Sequence, residues 1–508
     1  MSRTRRAASG SATAALRFGL HAALQIVLYP LLLAHAGQEM LGAYSMLVQA
    51  VGYLVVADLG FNLALARQLA HAHAGNARPG LFDDVLTTGR TFQLFSNGVF
   101  SVLALLLILA LGPVLHLPPP LAREGSIALG LLAVWSLVRT PFTPYASALF
   151  AVQELAATNL LALFGNALRL VLSIVLVVYG GRVLGGLVGL MLAQLAADSL
   201  ILIGSAVIFW RKYPHRHAGW GIPDRPLFFE MLRYGRGTLL LQFASRLIFT
   251  SDTLVAGWLN GPASASVFYT TEMPAMLGYT FIFGIIDNLQ PALHELTALG
   301  DRARLRALFL RLTRYALALG LCYAAGVIFF NRAVVTLWVG RSQYGGSGMT
   351  LALGLFALCV VVEHLHSAFV QALGDLRTFG RLTLLEGAVN LGLSILLGKL
   401  FGLAGVLIAS LIATLPTLTW LVTTLARDLG VPLRALWNEV ARPACLVLCA
   451  ALCAGAAGLW APPSAVAQVA RMALFVAAFA AALLRFGMGA DERSQLRGLL
   501  GRLGGGSL

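Results

Sequence analysis

The chain has 508 residues, of which 58% are hydrophobic and only 11% are charged, and its mean hydropathy is +0.82. Soluble domains carry about 25% charged residues, so this composition excludes a soluble protein and indicates a polytopic membrane protein. A net charge of +15 would suggest a nucleic-acid partner in a soluble chain. Here the positive-inside rule accounts for the charge, and we expect no nucleic-acid partner.

The apolar residues fall into stretches that are long enough to cross a bilayer, which takes about 20 residues in a helix. We predict fourteen spans, over residues 14–36, 42–66, 89–114, 125–150, 156–180, 184–210, 237–260, 264–291, 315–331, 347–372, 379–400, 402–425, 443–460 and 466–485. Most Lys and Arg residues lie in every second connection, which supports the count. The same alternation predicts that both termini are cytoplasmic.

The order of the spans contains an internal repeat. The stretch from Ser147 to Ile174 has the same layout as the stretch from Ser367 to Ile395, and each is followed by a Gly-x-x-Gly. An even number of spans separates the copies, so they point the same way. We therefore expect an all-α, MATE-like fold with two pseudo-symmetric six-helix lobes and two extra helices. Its parts are an N-terminal lobe (1–210), a cytoplasmic inter-lobe connection (211–236), a C-terminal lobe (237–425), two additional helices (426–485) and a cytoplasmic tail (486–508).

Four arginines lie inside predicted spans: Arg17, Arg139, Arg169 and Arg246. A guanidinium stays charged in a protein, and a charge at the bilayer centre costs about 2.5–3.5 kcal/mol. We expect these side chains to face a hydrated, cationic cavity that binds an anion. Contacts between helices are the alternative. Pro141 and Pro144, beside Arg139, predict a kink in that span.

Other polar residues repeat on the same helical faces as the arginines, or on the equivalent face of a repeat counterpart. We expect the following to line the lumen: His21, Gln25, Asn166, Gln242 and Asn390. The alternative for these residues is hydrogen bonding between helices, which is common for polar side chains in membranes.

Acids within the spans are candidates for coupling transport to an ion: Asp252, Glu272, Glu363 and Glu386. The residues alone do not single out one of them or decide between protons and sodium. Cys445, Cys449 and Cys453 form one helical stripe, which is typical of small packing residues. We expect no metal and no cofactor.

Several short motifs follow one another along residues 14–425. They include Leu41-Gly42-Ala43-Tyr44-Ser45, Asp58-Leu59-Gly60-Phe61-Asn62, Arg139-Thr140-Pro141-Phe142, Asp252-Thr253-Leu254-Val255-Ala256-Gly257, Leu337-Trp338-Val339-Gly340 and Asn390-Leu391-Gly392-Leu393-Ser394. Together they resemble the polysaccharide biosynthesis flippases, the O-antigen or Wzx-type group of the MOP superfamily.

The resemblance implies alternating access and a cation-lined lumen for an undecaprenyl-diphosphate-linked oligosaccharide, used for O-antigen, capsule or exopolysaccharide. It also implies the bacterial cytoplasmic membrane, with membrane lipid and polysaccharide polymerase or export proteins as partners. A lipid II flippase, which also has fourteen spans, and a multidrug exporter of the same superfamily are alternatives. A membrane-embedded glycan polymerase or glycosyltransferase is a rival from another class. The chain shows no nucleophile elbow, phosphate-cradling loop or metal-ligand spacing, so we expect that it is not an enzyme.

Overall fold

The computed structural model describes residues 3–54, 57, 61–73, 80–216, 218–374, 376–457, 464–489 and 492–494. Within these ranges the description excludes the side chains of residues 3–18, 21, 63, 182–183, 234, 236–238, 376, 451, 454–457 and 465. The predicted roles of Arg17 and His21 therefore lie outside the described residues, as does most of the predicted tail. The described part is almost entirely α-helical and contains no strand. This confirms the predicted all-α fold.

The chain forms two compact units, Met1–Tyr269 and Thr270–Leu508. The helices of the first are α1 (Arg3–Leu54), α2 (Phe61–His73), α3 (Leu81–Ala110), α4 (Pro119–Val138), α5 (Thr143–Ala151), α6 (Leu155–Val178), α7 (Gly181–Leu184), α8 (Gly186–Lys212), α9 (Arg225–Phe249), α10 (Ser251–Asn260) and the start of α11 (Pro262–Asp287). The unit boundary falls within α11. The lobe boundaries predicted from the repeat stay predictions.

The second unit holds most of α11 and the remaining helices. These are α12 (Gln290–Ala298), α13 (Arg302–Val339), α14 (Ser347–Leu373), α15 (Leu376–Asp428), α16 (Leu433–Ala435), α17 (Arg442–Ala457) and α18 (Ala465–Ala482). A short 3-10 helix covers Arg341–Gln343, and π-helical turns cover Leu436–Ala441 and Leu483–Gly487. The last turn extends α18 to Gly487.

Many of these helices are long and apolar enough to cross a membrane. In the part of the chain that the structure describes there are eight, or nine if Leu239–Phe249 and Ser251–Asn260, which meet at 41°, form one bent span. The protein is therefore a multi-pass membrane protein. The count of fourteen spans stays a prediction.

Two of the longest helices, α1 and α15, are each divided into two segments at a glycine with positive φ. The backbone of α1 leaves the helical region at Gly37 (φ 84°), and that of α15 does so at Gly402 (φ 62°). Only glycine adopts such angles without steric cost. Both breaks fall at predicted boundaries between spans.

The two predicted Gly-x-x-Gly pairs lie at corresponding turns. In the first unit, α6 and α8 form a helical hairpin that turns at Gly185, and in the second unit the two segments of α15 turn at Gly402. A Cβ added at Gly189 would lie 3.2 Å from Leu176 Cβ, and one added at Gly405 would overlap the Leu397 carbonyl oxygen. The glycines therefore allow close approach of the two arms, most of all at Gly405.

The predicted connection over residues 211–236 is anchored to the first unit. Arg90 Nη1 donates to the Ala218 carbonyl at 2.6 Å, and its Nη2 donates to the Tyr145 hydroxyl at 3.0 Å. Farther along, the backbone N–H of Gly219 donates to Thr87 Oγ1 at 2.8 Å. The N-terminal half of this connection is thus a strap bonded to α3 and α5.

Candidate functional site: a cationic cavity

The first unit contains a cavity of about 320 Å³, whose walls are formed mainly by α1, α4, α6 and α8. Its apolar lining includes Leu, Val, Ala, Met and Phe side chains. The polar side chains that line it are Tyr44, Arg139, Arg169, Gln194 and Asp198. Two of the four predicted arginines therefore share one cavity. Two guanidinium groups against a single carboxyl group make the cavity net cationic.

Arg169 is held in place by a neutral partner. It lies on α6, half-buried, and its Nη2 donates to the Tyr44 hydroxyl of α1 at 2.9 Å. Among the described residues no carboxylate forms an ion pair with Arg169. A phenol orients the guanidinium without neutralising it, and Asp198 interacts with Arg169 electrostatically without an ion pair between them. Positive charge therefore remains available to an anion in the cavity.

The acid of the cavity is tied to its own helix. Asp198 and Gln194 both lie on α8, one turn apart, and Gln194 Nε2 donates to Asp198 Oδ1 at 2.8 Å. Tyr44, Gln194 and Asp198 are not among the predicted site residues. In the sequence, Asp198 stands out as an acid within a predicted span and Tyr44 as part of the Leu41–Ser45 motif. Neither observation predicts which side chains on other helices these residues contact.

Arg139 lies where a span is interrupted. Helix α4 ends at Val138 and α5 begins at Thr143, so the structure confirms the kink that Pro141 and Pro144 predict. Arg139 Nη2 lies 3.4 Å from Asn97 Oδ1. Its guanidinium carbon lies 5.8 Å from the centroid of the Phe100 ring, within the range of a cation–π interaction.

Arg139 also borders a second cavity of about 280 Å³ in the same unit. This one is more polar, and its lining side chains are Ala57, Asn62, Gln93, Ser96, Asn97, Phe100, Arg139, Thr143 and Leu202. Several of them bond each other: Gln93 Nε2 donates to Asn62 Oδ1 at 2.7 Å, and Asn97 Nδ2 donates to Thr140 Oγ1 at 2.9 Å. Arg139 and Phe100 therefore stand between two cavities.

The other predicted polar residues of the first unit lie elsewhere. Arg246 and Gln242 are exposed on α9, Gln25 on α1 and Asn166 on α6 are half-buried, and none lines either cavity. The Tyr53 hydroxyl donates to the backbone carbonyl of Arg246 at 3.1 Å. Their predicted place in a lumen stays a prediction.

In the second unit Asn390 and Glu386 lie between the two segments of α15. Asn390 is 1% exposed, and its Oδ1 accepts hydrogen bonds from Ser394 at 3.2 Å and from Ser410 at 3.0 Å. Glu386 is 3% exposed, and its Oε1 accepts a hydrogen bond from the Thr414 hydroxyl at 2.9 Å. Both are buried polar contacts within a helical hairpin.

The remaining candidate acids are distributed over both units. Asp252 on α10, in the first unit, is buried and lies 3.4 Å from Ser251 Oγ. Glu272 on α11 is buried in the second unit, and Glu363 on α14 is half-buried there. Glu363 and Glu386 lie near enough to interact electrostatically. They are the two candidates that share one environment.

Solved structures define the class to which this fold belongs. A multidrug resistance MATE family transporter of the MOP superfamily, in an inward-facing conformation, matches with a TM-score of 0.69 and 16% identity, covering 82% of this chain and 99% of that one. The lipid II flippase MurJ, in an inward closed conformation, matches with a TM-score of 0.66 and 12% identity, covering 94% of this chain and 98% of that one. At such identities the likeness shows the fold alone.

The sequence gives the family. The chain belongs to the polysaccharide biosynthesis protein family, whose model matches residues 10–297. No curated protein sequence matches the chain. The family and the MATE- and MurJ-like fold agree with the resemblance that the motifs predict.

Proposed function

We propose that the protein is a flippase that moves an undecaprenyl-diphosphate-linked oligosaccharide across the bacterial cytoplasmic membrane, for O-antigen, capsule or exopolysaccharide synthesis. The observation that carries this proposal is the cavity that Arg139 and Arg169 both line. Family membership supports a role in polysaccharide synthesis. A lipid-linked oligosaccharide contains a diphosphate, and a cationic cavity can bind that anion.

The arginines attract and orient the diphosphate. Each guanidinium offers five N–H donors in a planar fork that matches the oxygens of a phosphate. Tyr44 holds Arg169 without neutralising it, and Asn97 and Phe100 hold Arg139. Arg17 and Arg246 extend the positive charge along the rest of the lumen, and the polar residues His21, Gln25, Asn166 and Gln242 contact the sugars.

The cargo leaves by alternating access. A head group with two negative charges moves outward down a membrane potential that is negative inside, which supplies about 2.3 kcal/mol per charge per 100 mV. The same potential must also reset the empty carrier. Among the four candidate acids, Glu386 is the preferred coupling group, because it is buried, interacts electrostatically with Glu363 and accepts hydrogen bonds from the hydroxyls of Thr414 and Thr417.

The test is transport of a fluorescent undecaprenyl-diphosphate oligosaccharide in proteoliposomes that contain the full chain. Arg139→Gln and Arg169→Gln should each lower the initial rate at least about tenfold, the effect of losing about 1.4 kcal/mol. Arg123→Gln is the matched control, because Arg123 is exposed near the other end of α4. Equal rates in all three variants and the wild type would overturn the proposal.

Two further cargoes separate this proposal from its alternatives. A lipid II flippase would transport lipid II faster than the undecaprenyl-linked oligosaccharide, and a multidrug exporter would transport a cationic dye. We expect the dye not to be transported, because two arginines repel a cation at the cavity wall. Faster transport of lipid II than of the oligosaccharide would assign the protein to cell-wall synthesis instead.

A further inference from the structure

The second unit contains a basic site of its own. It is a cavity of about 380 Å³ at the start of α13, bordered by the π-helical turn Leu436–Ala441 and by Glu492. Its polar side chains are Arg306, Arg311, Arg314, Glu439 and Glu492. We name it the arginine cavity. Three cations face two anions there, so it is net positive.

Glu492 already occupies part of the arginine cavity as an anion would. Arg311 Nε lies 2.8 Å from its Oε1, and Arg314 Nη2 lies 2.8 and 2.7 Å from its two oxygens. The Tyr315 hydroxyl and the backbone N–H of Gly489 also donate to Oε2, at 2.8 and 2.7 Å. Four donor groups around one carboxylate form a built anion site.

The carboxylate of Glu492 is held ionised. Burial alone raises its pKa, but the hydrogen bonds from Gly489 and Tyr315 and the charges of Arg314 and Arg311 outweigh burial and hold the pKa below its usual range. The cavity therefore favours negative charge strongly enough to overcome the desolvation of its occupant.

Not all of the positive charge in the cavity is used. Arg306 is exposed and forms no ion pair with the described residues. The Nε of Arg314 is buried without a hydrogen-bond partner in the same part of the chain. A further anion in this cavity would gain charge-assisted hydrogen bonds that Glu492 does not satisfy.

The cavity lies where membrane spans end. The apolar stretch of α13 runs from about Tyr315 to Val339, so the cavity lies at one end of that stretch. Helix α18 and its π-helical turn end at Gly487, shortly before Gly489, which bonds Glu492. Phosphates of membrane lipids lie at this level, next to the ends of spans. The alternation of basic connections along the chain predicts that the start of α13 lies on the cytoplasmic side of the membrane, where basic residues are enriched.

We propose that the arginine cavity binds a phosphate group, with Arg306 and Arg311 as its contacts and Glu492 as the internal anion that competes with it. The site is independent of the transported cargo. A phosphate could come from an anionic phospholipid head group or from free phosphate, and both would present the same oxygens to the guanidinium forks.

The test measures thermal unfolding of the full chain in phosphatidylcholine nanodiscs, with and without added phosphatidylglycerol. We expect phosphatidylglycerol to raise the Tm of the wild type. Arg306→Gln should remove at least about half of that rise, and Glu492→Gln should enlarge it, because the competing carboxylate is gone. Arg302→Gln is the matched control, since Arg302 is exposed one turn earlier on α13 and does not line the cavity.

A parallel series replaces the lipid with inorganic phosphate at constant ionic strength. A Tm rise that depends on Arg306 in the lipid series alone identifies a lipid head group, and a rise in both series identifies free phosphate as sufficient. An equal loss in Arg302→Gln and Arg306→Gln would reveal a diffuse surface charge and overturn the proposal. A smaller rise in Glu492→Gln would also overturn it. Arg302 and Arg306 form no ion pairs among the described residues, so both variants should fold.

Discussion

The hairpin of α6 and α8 in the first unit and the hairpin within α15 in the second unit have the same layout and opposite chemistry. In the first unit α6 and α8 turn at Gly185, and in the second unit the two segments of α15 turn at Gly402. Arg169 precedes Gly185 by the same number of residues by which Glu386 precedes Gly402. The first hairpin therefore carries a base, and the second an acid, at the same distance along the chain before its turn.

The surroundings of these two residues differ as well. Arg169 faces a cavity and is oriented by the phenol of Tyr44 on another helix. Glu386 is buried and bonded to Thr414 on the opposite arm of its own hairpin. A repeated backbone has thus been used once to open a cationic cavity and once to bury an acid. We infer that the first hairpin serves the anionic cargo and the second serves coupling.

The strongest way to break this comparison is to give the first hairpin the charge of the second. Arg169→Glu should lower transport of the diphosphate-linked oligosaccharide at least about a hundredfold, which corresponds to about 2.7 kcal/mol. The new carboxylate would repel the diphosphate and would add to the charge of Asp198 in the same cavity. Initial rates in proteoliposomes check this, with Arg123→Glu as the control. Retained transport in Arg169→Glu would show that the cavity does not bind the diphosphate.

A second prediction concerns how tightly the two hairpins close. Gly405→Ala should destabilise the protein by about 3 kcal/mol or more, because the new Cβ would overlap the Leu397 carbonyl oxygen and the backbone would have to move. Gly189→Ala should cost far less, since its nearest neighbour is Leu176 Cβ at 3.2 Å. Thermal unfolding in detergent measures both.

Gly392→Ala is the control for that pair, because no atom lies within 4 Å of the added Cβ. Alanine is a better helix former than glycine by about 0.8–1.0 kcal/mol, so this variant should unfold at the same or a higher temperature. Equal Tm values for Gly405→Ala and Gly392→Ala would contradict the close approach in the second hairpin.

A third prediction tests the role of the acid. In Glu386→Gln the amide oxygen can still accept the hydrogen bond from Thr414, but the side chain can no longer ionise. We expect transport without an ion gradient to persist and its stimulation by a proton or sodium gradient to disappear. Glu295→Gln, an exposed acid on α12, should keep the stimulation. Unchanged stimulation in Glu386→Gln would move coupling to another of the four acids.

The smallest expected effect compares two serines. Ser410→Ala removes a hydrogen bond of 3.0 Å to Asn390 on the other arm and should cost about 1 kcal/mol. Ser199→Ala, in the first hairpin, removes only a bond to the Leu195 carbonyl one turn earlier and should be nearly neutral. A larger Tm loss in Ser199→Ala than in Ser410→Ala would show that the second hairpin is not the more tightly bonded of the two.

The sequence was informative about features that are local in the chain. Hydropathy predicted the helical fold, the boundaries between predicted spans coincide with the breaks at Gly37 and Gly402, and Pro141 and Pro144 predicted the break at Arg139. Each of these signals acts through the backbone of its own segment. The choice of Arg139 and Arg169 also rested on a local quantity, the cost of a charge in a span.

The neighbours of those charges were not predictable from the same signals. Helical periodicity gives the relative angle of two side chains on one helix, but it does not say which other helix they meet. Tyr44, Gln194 and Asp198 therefore entered the site only with the structure. For the same reason Asn390, which shares a polar face with Glu386, proved to bond the opposite arm of its hairpin.

The break between α4 and α5 has a consequence for the path of an anion. Arg139 and Phe100 line both cavities of the first unit, so they form a partition with a charged edge. A phosphate that passes from one cavity to the other would exchange donors on a single guanidinium, which has five N–H groups to offer. The phosphate would remain paired with the Arg139 guanidinium throughout the movement. The barrier between the two cavities would then be steric more than electrostatic.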